Sequence, residues 1–208
     1  MSLADFNGLV AEVADWINRE DATSTLCQTF IQLTETDMKR RLRARVNEKQ
    51  VTITVDTTNT TYTIPSDLME IKELNNSLSD APPIERISLQ DFKRFGAVDS
   101  GSTAWPVYFA RDYDKLVFYP ITGSNDLVLT YWAAPVALSS SNTTNDILTN
   151  VPDLYLFGAL AQSEMFFRFD ADQVRFGPLY EAALARENDA AKRQEYAGST
   201  LTMGNPYG

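Results

Sequence analysis

Apolar residues near the N-terminus recur every three or four positions, which places them on one face of an α-helix. This pattern predicts a helix over residues 2–19, and Ser2 and Asp5 have the spacing of a capping box. A second helix is predicted over residues 24–46, and the turn at Glu20–Thr23 joins the two as a helical hairpin. The predicted buried positions are Leu3, Phe6, Val10, Val13 and Ile17 in the first helix and Leu26, Phe30, Leu33, Met38, Leu42 and Val46 in the second.

The period changes to two after residue 50, where apolar residues and threonines alternate in 51–55 as in a half-buried strand. The polar run 56–61 predicts a turn, and Tyr62 and Ile64 predict a return strand. Ser88 is predicted to cap a short helical turn. Further strands are predicted over residues 69–74, 107–111, 115–119 and 127–133, with a tight turn at 112–114.

Helical signals return near the C-terminus. Pro152 and Asp153 suit the first turn of a helix, which is predicted to reach about residue 168. The last helical region is predicted to begin at Asp170 or Asp172 and to end near residue 196, with a kink or break at Gly177–Pro178.

Helices, then strands, then helices indicate an α+β protein. We predict an antiparallel helical bundle formed by the N- and C-terminal helices (residues 1–48 and 150–196), with a β-rich insertion over 49–149 that forms a small sheet or sandwich. Residues 197–208 have no periodicity and contain glycine, so we expect an extended tail that a partner holds.

Composition argues against an enzyme. The chain has no histidine, which removes the commonest general base and metal ligand, and its formal charge is −10. We predict no catalytic, cofactor-binding or metal-binding residues. The single cysteine, Cys27, excludes an internal disulfide, which favours a reducing compartment, and we expect it to fill a buried helix position. The first twenty residues lack the features of a signal peptide, and no run of about 18 apolar residues predicts a membrane span.

One basic segment stands out in this acidic chain. Residues 38–49 contain six basic residues and one acidic residue, a net charge of +5, so the remainder carries −15. The segment is interpreted as a solvated helix C-terminus, as a contact with an acidic neighbouring subunit, or as a contact with DNA phosphates. Its candidate residues are Lys39, Arg40, Arg41, Arg43 and Arg45.

Other candidate sites have simpler interpretations. Pro65, Asp67, Glu70 and Lys72 resemble the acidic and lysine pattern of metal-dependent nucleases, but no second acidic segment accompanies them, so a turn and a strand with solvated charges are expected. The close acidic pairs at 112 and 114 and at 170 and 172 lack the ligands of a calcium loop. The many aromatic residues of the strands have few basic neighbours, so they are predicted to form sheet core.

Five colinear segments resemble the head-to-tail adaptor (connector) proteins of tailed bacteriophages, particularly short-tailed phages. They follow the order of that family, the resemblance covers roughly residues 3–195, and the last segment is the most characteristic. The segments are Ala4–Arg19, Ile64–Ile71, Tyr108–Pro120, Leu129–Trp132 and Pro152–Ala161.

The resemblance implies a structural virion protein that is made in the host bacterial cytoplasm and sits at the head–tail junction. It implies a ring, typically of twelve identical subunits, that binds the portal protein on one side and tail or nozzle proteins on the other. Genomic DNA would pass through the ring without sequence-specific contacts during packaging and ejection. We expect Leu201, Met203 and Tyr207 in the tail to contact the portal or a neighbouring subunit.

Two other functions compete with this interpretation. A nucleic-acid-binding or nuclease module is disfavoured by the net charge of −10 and by the absence of histidine. A carbohydrate-binding β-domain is disfavoured by the helices that flank the strands.

Overall fold

The computed structural model describes residues 3–78, 81, 83–98, 105–167 and 175–196. The chain divides into two compact units. A helical unit comprises the described residues up to Asn47 and from Pro135 onward, and a strand unit comprises Glu48–Ala134. Helices combined with two β-sheets confirm the predicted α+β class.

The helices lie mainly at the two ends of the chain. They are α1 (Phe6–Ile17), α2 (Ser24–Arg41), α3 (Leu89–Val98), α4 (Asp146–Asn150), α5 (Pro152–Phe167) and α6 (Phe176–Tyr196). All except α3 belong to the helical unit. The short helix α4 was not predicted, because five residues are too few to show a period.

The helix ends follow local capping chemistry. Asp5 is the N-cap of α1 and accepts a 2.7 Å hydrogen bond from the Gly8 amide, so α1 begins later than the predicted residue 2. The Thr23 hydroxyl caps α2 by accepting from the Leu26 amide. The prediction that α2 continues to residue 46 is wrong, because Leu42 turns into extended backbone and buries its side chain completely.

Helix α5 is the central helix of its unit. Residues on all of its sides are buried, which is typical of a helix surrounded by other elements. It packs against α1, α2, α4 and α6. The approach is closest at Gly158, where a Cβ atom would lie 2.2 Å from Cγ2 of Thr34 and 3.0 Å from Cε2 of Tyr180. Only glycine at position 158 allows α2 and α6 to approach α5 this closely.

Gly177 and Pro178 do not interrupt the last helix, contrary to the prediction. Helix α6 begins at Phe176, so both residues lie in its first turn, where proline costs no intrahelical hydrogen bond. Asp170 and Asp172, the predicted starting residues, lie outside the described part of the chain.

Segment 135–151 belongs to the helical unit, although the insertion was expected to extend to residue 149. Leu138 is buried in the helical core, and the Phe6 amide donates to the Thr143 carbonyl oxygen. Although serine, threonine and asparagine dominate residues 139–145, Leu138, Ile147 and Leu148 on either side of them pack into the helical core.

The strand unit contains two sheets. Its strands are β1 (Glu48–Val55), β2 (Thr61–Thr63), β3 (Leu68–Asn76), β4 (Glu85–Arg86), β5 (Tyr108–Asp112), β6 (Lys115–Tyr119) and β7 (Asn125–Ala133). One sheet has the order β1-β7-β3 and the other has the order β2-β6-β5-β4. All pairs are antiparallel except β4 with β5.

The predicted hairpin between β1 and β2 is wrong. Strand β1 pairs with β7, in the register Glu48 opposite Trp132, and β2 pairs with β6. The tight turn between β5 and β6 is confirmed, and Tyr113 adopts a φ of 53° there. The helical turn after Ser88 is also confirmed, since the Ser88 hydroxyl accepts from the Asp91 amide at 3.1 Å.

Aromatic and aliphatic side chains from both sheets form one core, so the unit is a small sandwich. Phe109, Phe118 and Tyr131 are buried in this core, as predicted for the strand aromatics. Tyr113, at the β5–β6 turn, is instead 89% exposed. Cys27 is fully buried in the separate core of the helical unit, which confirms its expected role.

Replacing Gly158 with valine tests the close packing of α2, α5 and α6. The added side chain meets Thr34, which is buried and hydrogen-bonded to the Phe30 carbonyl oxygen and so has little room to move. We expect the free energy of unfolding to fall by at least about 2 kcal/mol in urea denaturation. Gly123→Val is the control, because no atom lies within 4 Å of its Cβ position; we expect it to change stability by no more than about 0.5 kcal/mol. Equal effects of the two substitutions would contradict the packing argument.

Candidate assembly surfaces of the helical unit

The predicted basic segment spans the end of α2 and the chain that follows it. Lys39, Arg40 and Arg41 form the last turn of α2, where their positive charge complements the helix dipole. Arg43 lies in the extended segment after the helix, and Arg45 begins a 3₁₀ turn over Arg45–Asn47. The five residues therefore do not share one helical face. The structure divides them into an inner group, Arg41 and Arg43, which bond to α6, and an outer group, Lys39, Arg40 and Arg45, which are exposed.

Arg41 belongs to the inner group. Its guanidinium donates to Glu181 on α6 in a two-pronged ion pair, with Nη1 to Oε1 at 2.7 Å, and also reaches Asp37 at 3.2 Å. The hydrogen bond to Glu181 is the main reason that the pKa of Arg41 is raised. The buried Tyr180 hydroxyl donates to the same Asp37 at 2.8 Å, and burial raises the pKa of Tyr180. Arg41 therefore connects α2 to α6.

Arg43 also belongs to the inner group. Its amide donates to the side-chain oxygen of Asn188 on α6 at 2.7 Å, and the Asn188 side-chain nitrogen donates to the Arg41 carbonyl oxygen at 3.0 Å. One amide side chain thus replaces the hydrogen bonds that the chain loses where α2 ends. The partly buried Arg43 guanidinium donates a hydrogen bond to the Leu42 carbonyl oxygen.

The outer group comprises Lys39, Arg40 and Arg45, all of which are exposed. Lys39 has a favourable electrostatic interaction with Glu35. Arg40 and Arg45 make no hydrogen bond or ion pair within the described residues. These three cations face outward and remain available to an acidic partner surface.

Glu35 lies on the buried side of α2, and its carboxylate organises the return of the chain from the strand unit. Its Oε1 accepts from the Leu138 amide at 2.7 Å and from the Tyr155 hydroxyl at 3.1 Å. The Asn145 side-chain nitrogen donates to that hydroxyl oxygen at 2.7 Å. Burial raises the pKa of Glu35, and the two hydrogen bonds to it only partly oppose this effect. The network attaches segment 135–145 to α2 and α5.

A second surface lies at the other end of the bundle, where α1 ends and α6 begins. We call it the aromatic end. Met165 is 77% exposed, Phe166 is 59% exposed and Trp16 is 48% exposed. Their neighbours complete a group of edge-to-face ring contacts between 5.1 and 6.2 Å. The aromatic end consists of Trp16, Phe30, Met165, Phe166, Phe167 and Phe176, and the Arg19 guanidinium lies 4.6 Å from the Phe167 ring centre.

A pocket of about 480 Å³ opens beside Trp16 and Phe176. Its buried acidic group, Glu164, accepts hydrogen bonds from the amides of Arg175 and Phe176, so this carboxylate is occupied by capping the first turn of α6. The pocket therefore combines an apolar side with a polar side formed by Ser163, Glu164 and Arg175. It is lined by Trp16, Ile17, Leu160, Ser163, Glu164, Arg175 and Phe176.

Sequence reasoning missed the aromatic end. The apolar residues at the end of α5, Phe166 and Phe167, continue the composition of a helix that is buried on all sides, so the sequence does not distinguish them from core residues.

The nuclease-like residues of the strand unit are engaged in local contacts. Asp67 accepts from the Lys49 ammonium at 2.6 Å and from the Tyr131 hydroxyl at 3.1 Å. Partial burial opposes ionisation of Asp67, but these hydrogen bonds outweigh it and hold its pKa below the ordinary value. Burial and the Asp67 carboxylate raise the pKa of Tyr131 to about 12. Lys72 donates to Glu48 at 3.2 Å.

Among the described residues, no group of three or more acidic, cysteine or histidine side chains could hold a metal ion. The tail residues Leu201, Met203 and Tyr207 lie outside the described part of the chain, and their contacts stay a prediction.

A family model described as SU10 adaptor protein matches residues 4–204. The chain belongs to this family. The match confirms the resemblance to phage head-to-tail adaptors that the five colinear segments indicated. No curated protein matches the chain.

The protein is accordingly a bacteriophage adaptor, a structural component of the virion neck that associates with other neck components. Within the described part of the adaptor, no helix is long and apolar enough to cross a membrane.

Substitutions of Glu35 test the buried network of the adaptor. The folded-state pKa of Glu35 lies above its ordinary value of 4.5, so the folded state binds the proton more tightly than the unfolded state does. The stability due to Glu35 is therefore lost as the pH rises from that ordinary value through the folded-state pKa. We expect Glu35→Gln to keep both hydrogen bonds, to be at least as stable as wild type at pH 7, and to lose this pH dependence.

Glu35→Ala is the contrasting variant. It leaves the Leu138 amide and the Tyr155 hydroxyl without their acceptor, and we expect a loss of at least about 2 kcal/mol. Urea denaturation of the three proteins between pH 4.5 and pH 8 gives the comparison. The account fails if the glutamine and alanine variants lose equal stability at pH 7.

Proposed function

We propose that this adaptor forms a ring of identical subunits that joins the portal protein to the tail and surrounds the channel through which the genome passes. The match of the adaptor family over residues 4–204 is the observation that carries the proposal. Such a ring would bind portal on one side and tail or nozzle proteins on the other, and would remain in the neck during packaging and ejection.

The distribution of charge supports contacts between identical subunits. A closed ring of identical subunits requires two different, complementary patches on each subunit. The outward cations Lys39, Arg40 and Arg45 form one patch, and an acidic chain with a formal charge of −10 provides many partners for it. The same acidic balance suits a channel past which DNA slides, because tight DNA binders are usually basic.

The C-terminal tail supplies a further contact. Leu201, Met203 and Tyr207 are apolar residues in a segment that is otherwise small and polar. We propose that they contact the portal or a neighbouring subunit, while the helical unit remains folded without them.

Reversing the outward cations tests the subunit contact. We expect the double variant Arg40→Glu, Arg45→Glu to lose ring formation at low salt with little change in melting temperature, because neither side chain has a partner within the described residues of its own chain. Arg86→Glu, an exposed cation of the strand unit, is the matched surface control. Arg41→Glu should instead lower the melting temperature, since it places a carboxylate against Glu181 and Asp37. Native mass spectrometry that finds rings of the double variant as readily as wild type would show that these cations are only solvated.

Antibody labelling of intact particles tests the location. We expect electron microscopy to show label only at the head–tail junction, with access increased after the tail is removed. Label elsewhere on the particle, or no association with particles, would refute the adaptor position and make salt-dependent DNA binding and glycan binding the next assays.

A further inference from the structure

We infer that the C-terminal tail of one adaptor subunit binds the aromatic end of a neighbouring subunit, with side chains of the tail entering the pocket beside Trp16 and Phe176. The inference rests on the proposed ring, because it requires a neighbouring copy of the chain. It deepens that proposal by naming the two surfaces that meet, the C-terminal tail and the aromatic end. The ligand of the pocket is then an uncharged peptide segment with apolar side chains.

The aromatic end has the composition of a binding surface. Met165, Phe166 and Trp16 expose large apolar side chains within one end of the bundle, and Arg19 lies over the ring of Phe167. Tryptophan, phenylalanine, methionine and arginine are the residue types enriched where proteins bind one another. Such a cluster left in water is unfavourable, whereas a single exposed apolar residue is ordinary.

The tail has the complementary composition. Residues 197–208 contain no charged side chain, although charged residues make up 22% of the chain. An acidic peptide would favour the basic end of α2, whereas an uncharged segment that carries Leu201, Met203 and Tyr207 suits the exposed aromatic rings and the apolar side of the pocket. Leu201 and Met203 are two residues apart, so in an extended chain both side chains point to the same side.

The pocket has room for these side chains. Its volume of about 480 Å³ lies within the range of ligand-binding clefts, and its carboxylate is already occupied by the first amides of α6. Trp16, Ile17, Leu160 and Phe176 remain as apolar contacts for a leucine or methionine side chain.

Chain length identifies the occupant as a second copy. The tail starts after Tyr196, at the end of α6, whereas Phe176 of the aromatic end is the first residue of the same helix. A helix of 21 residues spans about 30 Å. Five extended residues reach at most about 18 Å, so Leu201 cannot return to the aromatic end of its own chain. The tail can therefore place all three side chains on an aromatic end only if that end belongs to another subunit.

Disulfide trapping between two differently substituted full-length copies tests this arrangement. One copy carries Met165→Cys, and the other carries Met203→Cys. Met165 is 77% exposed, so its replacement spares the core, and the natural Cys27 is fully buried and adds little background. We expect a disulfide between the two copies when they are mixed under ring-forming conditions. Leu33→Cys, at a 47% exposed position in the middle of α2, is the matched control that should not crosslink to the tail.

Removal of residues 197–208 gives an independent measurement. We expect the concentration needed for half-maximal ring formation to rise about tenfold or more, with an unchanged melting temperature. Met165→Asp should weaken ring formation in the same direction, and Leu33→Asp should not.

The outcomes separate this inference from the proposed ring. Rings that form normally without the Met165–Met203 crosslink, or a tail cysteine that crosslinks only to portal, would overturn the inference and leave the ring intact. A chain that forms no oligomer and labels no neck would overturn both proposals.

Discussion

Burial of α5 on all sides is the constraint on which the helical unit depends. Helices α2 and α6 both approach α5 closely at Gly158 because this residue has no side chain, so that Thr34 and Tyr180 lie where a Cβ atom would clash. This spacing brings α2 and α6 near enough for Asp37, Tyr180 and Arg41 to meet. The polar contacts between these two helices are therefore a result of how closely α5 is packed.

Polar side chains stabilise the backbone where a helix ends, where a helix begins and where the chain returns from the strand unit. Asn188 bonds the backbone at the end of α2, Glu164 bonds the first amides of α6, and Glu35 accepts the amide of Leu138 after the strand unit. Each comes from a segment distant in sequence from the end it stabilises, apart from Glu164. A further contact with α6 distinguishes the cations of α2, because Arg41 forms an ion pair with Glu181 while Arg40 is exposed and does not.

Periodicity was sufficient to predict the long helices and most strands, because burial on one face leaves a regular pattern. Periodicity did not predict which strands pair with one another. Strand β1 pairs with β7 across more than seventy residues, and the alternation in either strand does not specify the other. The end of α2 was missed because Leu42 and Val46 continue a four-residue spacing. The five basic residues were evident as a cluster, but dividing them into inner and outer groups required Glu181 and Asn188 on α6.

The ends of the strand unit lie side by side. Glu48 enters it directly opposite Trp132, two residues before Ala134 leaves it. The two points at which the insertion joins the helical unit are therefore close together. The entropy lost in bringing these two points together depends only weakly on the length of the inserted unit. A change in the length of the inserted unit is therefore expected to leave the packing of the helices intact.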